Sequence, residues 1–341
     1  MIASNRTVLV FGAYGHTGRF VVAELRRRGW TPILSGRNPD KLAALGVEHP
    51  TLQLRVASID DADSLDRALN GTVAAINCAG PFLDTAMPVI EAALRARIHY
   101  LDTAAEQHAV LDMFEQQADA ARSAGIAVLP GMAFYGGLAD LLATAAMGEW
   151  TQADAIDIGV ALDSWHPTAG TRRTGERNHY RRLVVSAGQL APLADPAPTR
   201  EWTFPAPFGA QPMVGLPLSE TITISRHLRM CELHSYINLA PLQDLRNPDT
   251  PAPVASDAQG RSAQRFAMEA VVRNGGEVRR VAASGRDIYA VTAPLIVEAM
   301  ERIIAGRGRI CGVIAAGAAF DARDFLATLA PEHLRLDYSN G

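Results

Sequence analysis

The sequence predicts an α/β fold, a doubly wound parallel sheet joined to a second α+β domain built on a mixed or antiparallel sheet. Three observations predict it. Short apolar runs alternate with amphipathic stretches through the first 150 residues, the pattern of βαβ units feeding a parallel sheet. The first such unit carries three glycines between its strand and its helix. Beyond Trp150 the texture changes to longer alternating strands, with Asn274-Gly275-Gly276 as a strong hairpin signal. A chain of 341 residues also exceeds the size at which a single hydrophobic core stops growing. The expected division is residues 1–150 for a dinucleotide-binding domain, 151–286 for an α+β substrate or dimerisation domain, and 287–341 for helices that return to the first domain.

Val8 to Phe11 reads as a buried strand, followed by a helix from His16 to Arg28 that turns Phe20, Val21 and Leu25 inward and stops at Gly29. Thr31 to Ser35 is the second strand. Asn38-Pro39-Asp40 supplies an N-cap and a proline at the first helical position, and Lys41 to Leu45 continues that helix. Leu52 to Val56 makes the third strand, Asp60 or Asp61 caps a helix holding Leu65 and Leu69 up to Gly71, and Val73 to Asn77 makes the fourth. Thr85 to Ala96 and Val110 to Ser123 are helices, with strands at His99 to Leu101 and Ile126 to Leu129, and Leu138 to Met147 closes the domain. In the second part Ala155 to Leu162, Thr221 to Leu228 and Glu232 to Leu239 read as strands, and Phe266 to Val272 and Val278 to Ala283 flank the hairpin turn. The proline-rich stretch from Ala191 to Pro217 has little periodicity and reads as a long surface excursion or lid. Helical patterns return at Val291 to Ala305 and Asp321 to Leu329.

The glycine turn reads Gly12-Ala13-Tyr14-Gly15-His16-Thr17-Gly18. Gly12 permits the tight turn out of the strand, Gly15 lets the backbone approach a pyrophosphate, and Gly18 allows the helix to pack closely on the sheet. The helix N-terminus then presents free N–H groups to phosphate. With a strand before it, a helix after it and more βαβ units beyond, the turn marks a Rossmann-type domain. At the end of the second strand, where an NAD-binding domain places an acid for the ribose, this chain has Ser35-Gly36-Arg37-Asn38. Arg37 offers a guanidinium fork for a 2′-phosphate, so the expected cofactor is NADP(H). Tyr14, Ser58 after the third strand, and Cys78, Ala79, Gly80 and Pro81 after the fourth join the cofactor-facing set on the same edge of the sheet.

Composition excludes several alternatives. A formal net charge of −4 gives no electrostatic footprint for nucleic acid or an anionic membrane, which leaves a small molecule as the expected partner. Cys78, Cys231 and Cys311 lie far apart, and no His or Cys spacing suggests a metal site. The first strand begins within a few residues of Met1, leaving no room for a secretory signal, and the expected location is cytoplasmic. Lys41 is the only lysine, so a Tyr-x-x-x-Lys dyad and a Walker A lysine are both excluded. A Schiff-base lysine would have to be Lys41 itself.

GAYGHTGR, SGRNPDKL, NCAGPF, HYLDTAAE and PGMAFYGGLADLLA, in that order, resemble the saccharopine dehydrogenase-like NADP-binding family, which includes saccharopine reductases and trans-acting enoyl reductases. The resemblance covers about the first 150 residues well; GRDIYAVTA is similar to the family's return helix. It implies hydride transfer between NADP(H) and a C=N or C=C bond, and a homodimer formed through the second domain's sheet. The chain departs from the family where many relatives carry Gly-Phe-Asp and it has Ala133-Phe134-Tyr135, and where a proline is replaced by Leu138; Asp140 is retained.

A reductase of this kind must supply a proton or polarise the acceptor. Tyr135 is the first candidate donor, with a core tyrosine as the alternative. Asp102 is the second candidate; with Glu106 it flanks the fifth strand's end and can orient an amine or a water, the alternative being that Asp102 or Thr103 caps the following helix. The segment from Gly170 to Arg177, with three arginines, is either a clamp for a carboxylate or phosphate or a solvated helix start. Cys78 without an adjacent base reads as a small hydrophobe, and Tyr289 reads as a hinge or packing residue. The expected function is an NADPH-dependent reductase of a small or medium-sized metabolite; the alternatives are a trans-acting enoyl reductase on a lipid or polyketide-like substrate and a non-catalytic NADP(H)-binding sensor.

Overall fold

Uninterrupted apolar runs make the first strands, because a parallel strand with helices on both faces has no solvent side. The computed structural model describes residues 6–306 and 310–340. Its first part alternates β1 (Thr7–Phe11), α1 (His16–Arg27), β2 (Thr31–Gly36), α2 (Pro39–Glu48), β3 (Leu54–Val56), α3 (Ala62–Leu69), β4 (Ala74–Asn77), α4 (Phe82–Ala96), β5 (His99–Asp102), α5 (Gln107–Ala124) and β6 (Ala127–Leu129). A π-helical turn over Phe134–Leu138 leads into α6 (Ala139–Met147). Val8, Leu9 and Val10 of β1 are fully buried. The local signals hold: the Asn38 side chain accepts from Lys41 N at 2.9 Å, and of the two aspartates before α3 it is Asp61 that caps, accepting from Ser64 N at 3.0 Å.

The chain continues through β7 (Ala153–Leu162), α7 (Ala169–Arg177), β8 (Leu183–Ser186), β9 (Gln189–Pro192), β10 (Thr199–Thr203), β11 (Ala210–Gly215), α8 (Ser219–Ser225), β12 (Met230–Asn238), α9 (Leu239–Arg246), β13 (Arg265–Asn274) and β14 (Glu277–Arg286). It ends with α10 (Thr292–Ile304), β15 (Gly312–Val313), α11 (Ala316–Ala319), α12 (Ala322–Leu329) and β16 (Arg335–Asn340). The first sheet is parallel, in the order β15-β6-β5-β4-β1-β2-β3. Successive strands are added to one side of β1 up to β3 and to the other side from β4, and this switch of order at β1/β4 opens the crevice where such sheets bind ligands. The second sheet is mixed: β10-β11-β12-β7-β13-β14-β16, with β12 and β7 parallel and β8 and β9 branching from β12. Asn274 pairs with Glu277, so Gly275 and Gly276, both at positive φ, form the two-residue turn. The tail divides between the sheets: β15 extends the first beside β6, and β16 extends the second beside β14.

Two sequence expectations are overturned. Thr221 to Leu228 is not a strand; Ser219–Ser225 is the helix α8, buried along nearly its whole length. Alternating Thr and Ile favour a strand, but here the hydroxyls of Thr223 and Ser225 donate back to the carbonyls of Glu220 and Ile222, so these two hydroxyls are satisfied inside the helix. Ala191 to Pro217 is not a surface excursion, since it contributes β10 and β11 to the second sheet. Its prolines mask the period of two, while Trp202, Phe204 and Met213 are buried and Trp202 Nε1 donates to Glu269 at 2.9 Å.

The sheets share one core that runs from Val8 and Val10 through α6 to Ile156, Phe266 and Met268. All residues of α6 except Thr144 are buried. Asp140 in its first turn is fully buried and accepts from Gly317 N at 3.0 Å, while its other oxygen lies 2.6 Å from His227 Nε2. A Cβ at Gly317 would lie 2.1 Å from Thr144 Oγ1 and 2.7 Å from Asp140 Oδ1. On the far side Arg28 of α1 reaches Glu298 and Glu301 of α10 at 2.6 and 2.8 Å.

Burial alone would lower the His227 pKa, but the charge of Asp140 and its hydrogen bond outweigh that and hold it above the ordinary imidazole value. With the folded pKa raised, this pair contributes its full stability below about pH 6.5 and loses it as pH rises through the folded value. In urea unfolding followed against pH, the stability difference between wild type and His227→Gln is expected to be largest in mild acid and to shrink as pH rises. Gly317→Ala is expected to cost about 1–3 kcal/mol by overpacking, read from the same curves.

Candidate functional site between the sheets

The glycine turn lies at the β1/β4 switch point. Gly12 sits at φ +82°, and the N–H groups of Gly12 and Ala13 both donate to the Ser35 carbonyl at the end of β2. A Cβ on Gly12 would lie 2.9 Å from Ala79 N, and one on Gly18 would lie 2.3 Å from the Gly12 carbonyl oxygen. Only glycine lets β1, the loop after β4 and the start of α1 come together here. No side chain caps α1, so its first N–H groups face outward beside Gly15, His16 and Thr17.

These three residues form one wall of a cavity of about 590 Å³ on the carboxyl edge of the first sheet. Cys78 and Gly80 after β4, Glu106 after β5 and the π-helical turn with Phe134 and Tyr135 continue the wall. The roof comes from the second part of the chain. There Thr168 caps α7 by accepting from Thr171 N, and Thr174 Oγ1 lies 3.0 Å from where a Gly80 Cβ would be. The Tyr289 hydroxyl accepts from Trp165 Nε1 at 3.1 Å and bonds Thr171 Oγ1 at 3.0 Å, and its ring meets His16 edge-on. Tyr289 therefore ties roof to floor.

The structure brings Gly15, His16, Thr17, Cys78, Gly80 and Tyr135 to the cavity. Gly12, Gly18, Ala79 and Pro81 support it from below. Ser35, Gly36, Arg37 and Tyr14 form a neighbouring shelf at the end of β2, where the Tyr14 ring lies against Gly36 and its hydroxyl accepts from Asn38 N at 3.2 Å. Arg37 is exposed there and makes no ion pair with a described residue. The Ser35 hydroxyl and His16 Nε2 are buried without a hydrogen-bond partner, as suits a cradle that takes a polyhydroxylated, phosphorylated ligand. Burial, only partly opposed by Asp287, lowers the His16 pKa and keeps the ring neutral. Ser58 does not reach the cavity; its N–H donates to Ser64 Oγ and its hydroxyl faces Asp60, which holds the entry to α3. Burial, reinforced by the charge of Asp102, pushes the Cys78 thiol up to about 12, which fits a packing role.

The two candidate catalytic residues separate. Asp102 is fully buried and is not among the residues lining the cavity. Its carboxylate accepts from Ala104 N at 2.9 Å and Gly131 N at 2.7 Å, fastening the loops after β5 and β6. Burial pushes its pKa up to about 6 against those bonds. The cap expected of Asp102 or Thr103 is not made, since Glu106 occupies that position before α5 without a side-chain cap. Glu106 instead accepts from Phe82 N at 2.8 Å, at the start of α4. Tyr135 does line the cavity, packed against Phe134 and Trp165, and its hydroxyl is buried without a partner. Burial raises its pKa well above the ordinary phenol, with Tyr289 and Glu220 adding to the effect.

Arg182 is the residue that sequence reasoning missed. It follows α7 in an irregular stretch with no motif, and its guanidinium lines the cavity with one protein acceptor, the Pro217 carbonyl at 2.9 Å. Of the arginines of the Gly170 to Arg177 segment, which lie on α7, Arg172 lines the cavity but donates to the Asn247 and Thr250 carbonyls, Arg177 pairs with Asp84 at 3.0 Å, and Arg173 is exposed.

A doubly wound sheet with this turn at its switch point, facing a cavity closed by a second sheet, defines a dinucleotide-binding protein. Residues 8–129 match the family model of the saccharopine dehydrogenase NADP binding domain. The first domain is thus similar to a saccharopine dehydrogenase NADP binding domain, and that match supports NADP(H) as its cofactor. A probable mitochondrial saccharopine dehydrogenase-like oxidoreductase of Arabidopsis thaliana is 30% identical over 142 residues, covering 37% of this chain and 31% of that protein. A saccharopine dehydrogenase-like oxidoreductase of Bos taurus is 28% identical over 152 residues, covering 39% and 35%. The matched stretch spans about a third of the length of these relatives. The apo histidine-tagged saccharopine dehydrogenase (L-Glu forming) from Saccharomyces cerevisiae shares the fold, with a TM-score of 0.65 at 11% identity over 98% of this chain and 100% of that one.

Arg37→Ala is expected to weaken NADPH binding by about tenfold or more, the worth of a charge-assisted hydrogen bond, and to leave NADH binding unchanged. Titration of cofactor fluorescence reads both.

Proposed function

We propose that the protein is an NADPH-dependent reductase acting on the C=N bond of a small metabolite that carries a carboxylate. One observation carries the reading: Arg182, whose guanidinium has a single hydrogen-bond acceptor among the described residues, lines the same cavity as the glycine turn and the Tyr135 ring. A partly buried cation without an ion-pair partner calls for an anion, and a carboxylate of the substrate supplies it in bidentate geometry.

When bound, NADPH supplies the hydride. The first N–H groups of α1 hold its pyrophosphate, and Arg37 takes the 2′-phosphate. Arg182 orients the substrate by its carboxylate, Trp165 and Phe134 exclude water, and the Tyr135 hydroxyl delivers a proton to the atom next to the reduced carbon. Trapped in an apolar wall, the phenol stays protonated until a developing negative charge draws the proton away.

The test is NADPH oxidation by the purified chain with amino-acid and keto-acid pairs, preformed imines and unsaturated thioesters. Oxidation by the first two supports the proposal. Turnover of thioesters alone makes the protein an enoyl reductase, and tight NADPH binding without oxidation makes it a sensor. Arg182→Met is expected to raise the KM of acid substrates by about tenfold to a hundredfold while the Kd for NADPH stays within about twofold.

A further inference from the structure

Behind Tyr135, on the side away from the main cavity, lies a second cavity of about 10 Å³, room for about one water molecule. Its walls are mostly apolar, with Ala139 of α6, Ile158 and Val160 of β7 and Met268 of β13 among them. Three polar residues interrupt this lining, Tyr135, Glu220 on α8 and Ser235 on β12; the Tyr135 hydroxyl, Glu220 Oε2 and Ser235 Oγ are buried and lack a close hydrogen-bond partner, although Ser235 lies near enough to Glu220 to act on its carboxylate. The other oxygen of Glu220 is occupied, accepting from Leu218 N at 2.8 Å. Tyr236 contributes its ring, beneath the Arg200 guanidinium.

Three orphaned polar atoms around a one-water cavity match what a buried water needs, about three hydrogen bonds. A carboxyl group is also a costly lining where an amide or methyl would fill the space. We propose that a water bound in this cavity joins Glu220, Ser235 and Tyr135 into a proton relay that restores the Tyr135 hydroxyl after it has given its proton to the substrate. Tyr135 is the catalytic residue of the relay, because it alone lines both cavities; Glu220 and Ser235 act through it.

The protons balance as follows. The Tyr135 O–H bond breaks and an N–H bond forms on the substrate, whose adjoining carbon takes the hydride of the reduced nicotinamide cofactor. The phenolate recovers a proton from the water, which takes one from the Glu220 carboxyl. Once product has left the cleft, the Glu220 carboxylate regains a proton through the same water from the Tyr135 hydroxyl, which in turn takes one from solvent in the emptied cleft. Burial raises the Glu220 pKa, while the bond from Leu218 N, the Ser235 hydroxyl and the nearby Arg182 charge limit that rise. The groups facing Glu220 are Arg182 before β8, Tyr135 on the π-helical turn, and Ser235 and Tyr236 on β12.

Two measurements on the full chain need no turnover. A crystal structure at high resolution is expected to show one water within hydrogen-bond reach of the three atoms; an empty cavity, or a Tyr135 hydroxyl bonded elsewhere, overturns the proposal. With tyrosine labelled by ¹³C at Cζ and the Tyr135 signal assigned by Tyr135→Phe, that signal is expected to follow the titration of Glu220. The step should vanish in Glu220→Gln, which keeps the bond to Leu218 N, and shrink in Ser235→Ala; an unresponsive Tyr135 signal overturns the link. The kinetic measurement rests on the reductase reading. In it, kcat falls about tenfold or more in Glu220→Gln with the KM for NADPH unchanged, and its pH profile loses one limb. Unchanged kcat in both variants ends the relay and leaves the reductase standing, whereas a wild-type chain that oxidises no NADPH ends the reductase reading, with the water link still decided by the first two measurements.

Discussion

The carboxylate of Asp140 holds the molecule's central geometry. It lies with no exposed surface in the first turn of α6, the helix wedged between the two sheets, and its oxygens are taken by Gly317 N and His227 Nε2. A buried carboxylate is tolerated only when its lone pairs are met, so the segment after β15 and the end of α8 must come to it. The same helix follows directly on the turn that carries Tyr135, and α8 is the helix that carries Glu220. A contact remote from the cofactor edge thus fixes the two elements whose side chains meet behind the cleft.

What could be read from the sequence was local. A strand, three spaced glycines and a helix constrain one another over twelve residues, so the tight turn at Gly12 and the close packing at Gly18 were legible in the sequence. The caps at Asn38 and Asp61 were legible for the same reason, one side chain bonding a backbone N–H three residues on. Arg182 and Glu220 were not legible, because their importance comes from what other elements fail to offer them. No periodicity announces that an arginine will have only a carbonyl for company. The run Thr221 to Ile224 alternates as a strand does, and only its neighbours in the folded chain make it a buried helix. Asp102 shows the opposite failure: its position after β5 suggested chemistry, and two backbone N–H groups claim it instead.

Buried polar atoms without partners are rare in folded proteins, and here many gather around one feature. His16 Nε2 and the Ser35 hydroxyl lie by the glycine turn, and the Tyr135, Glu220 and Ser235 oxygens lie behind the far wall. The ion pairs between α1 and α10, by contrast, are fully matched, with Arg28 held among Glu24, Glu298 and Glu301.

The core that runs unbroken from β1 to β13 limits how the cleft can work. Swinging the two sheets apart would bring Val10, Phe266 and all of α6 into water, at a cost of about 25 cal/mol for every square ångström exposed. The roof offers an easier route. Helix α7 buries none of its residues and is tethered by its cap, the Tyr289 hydroxyl, two backbone carbonyls and one exposed ion pair. The least anchored wall of the cleft is therefore this stretch of nine residues, while the walls on either side of it are tied into the core.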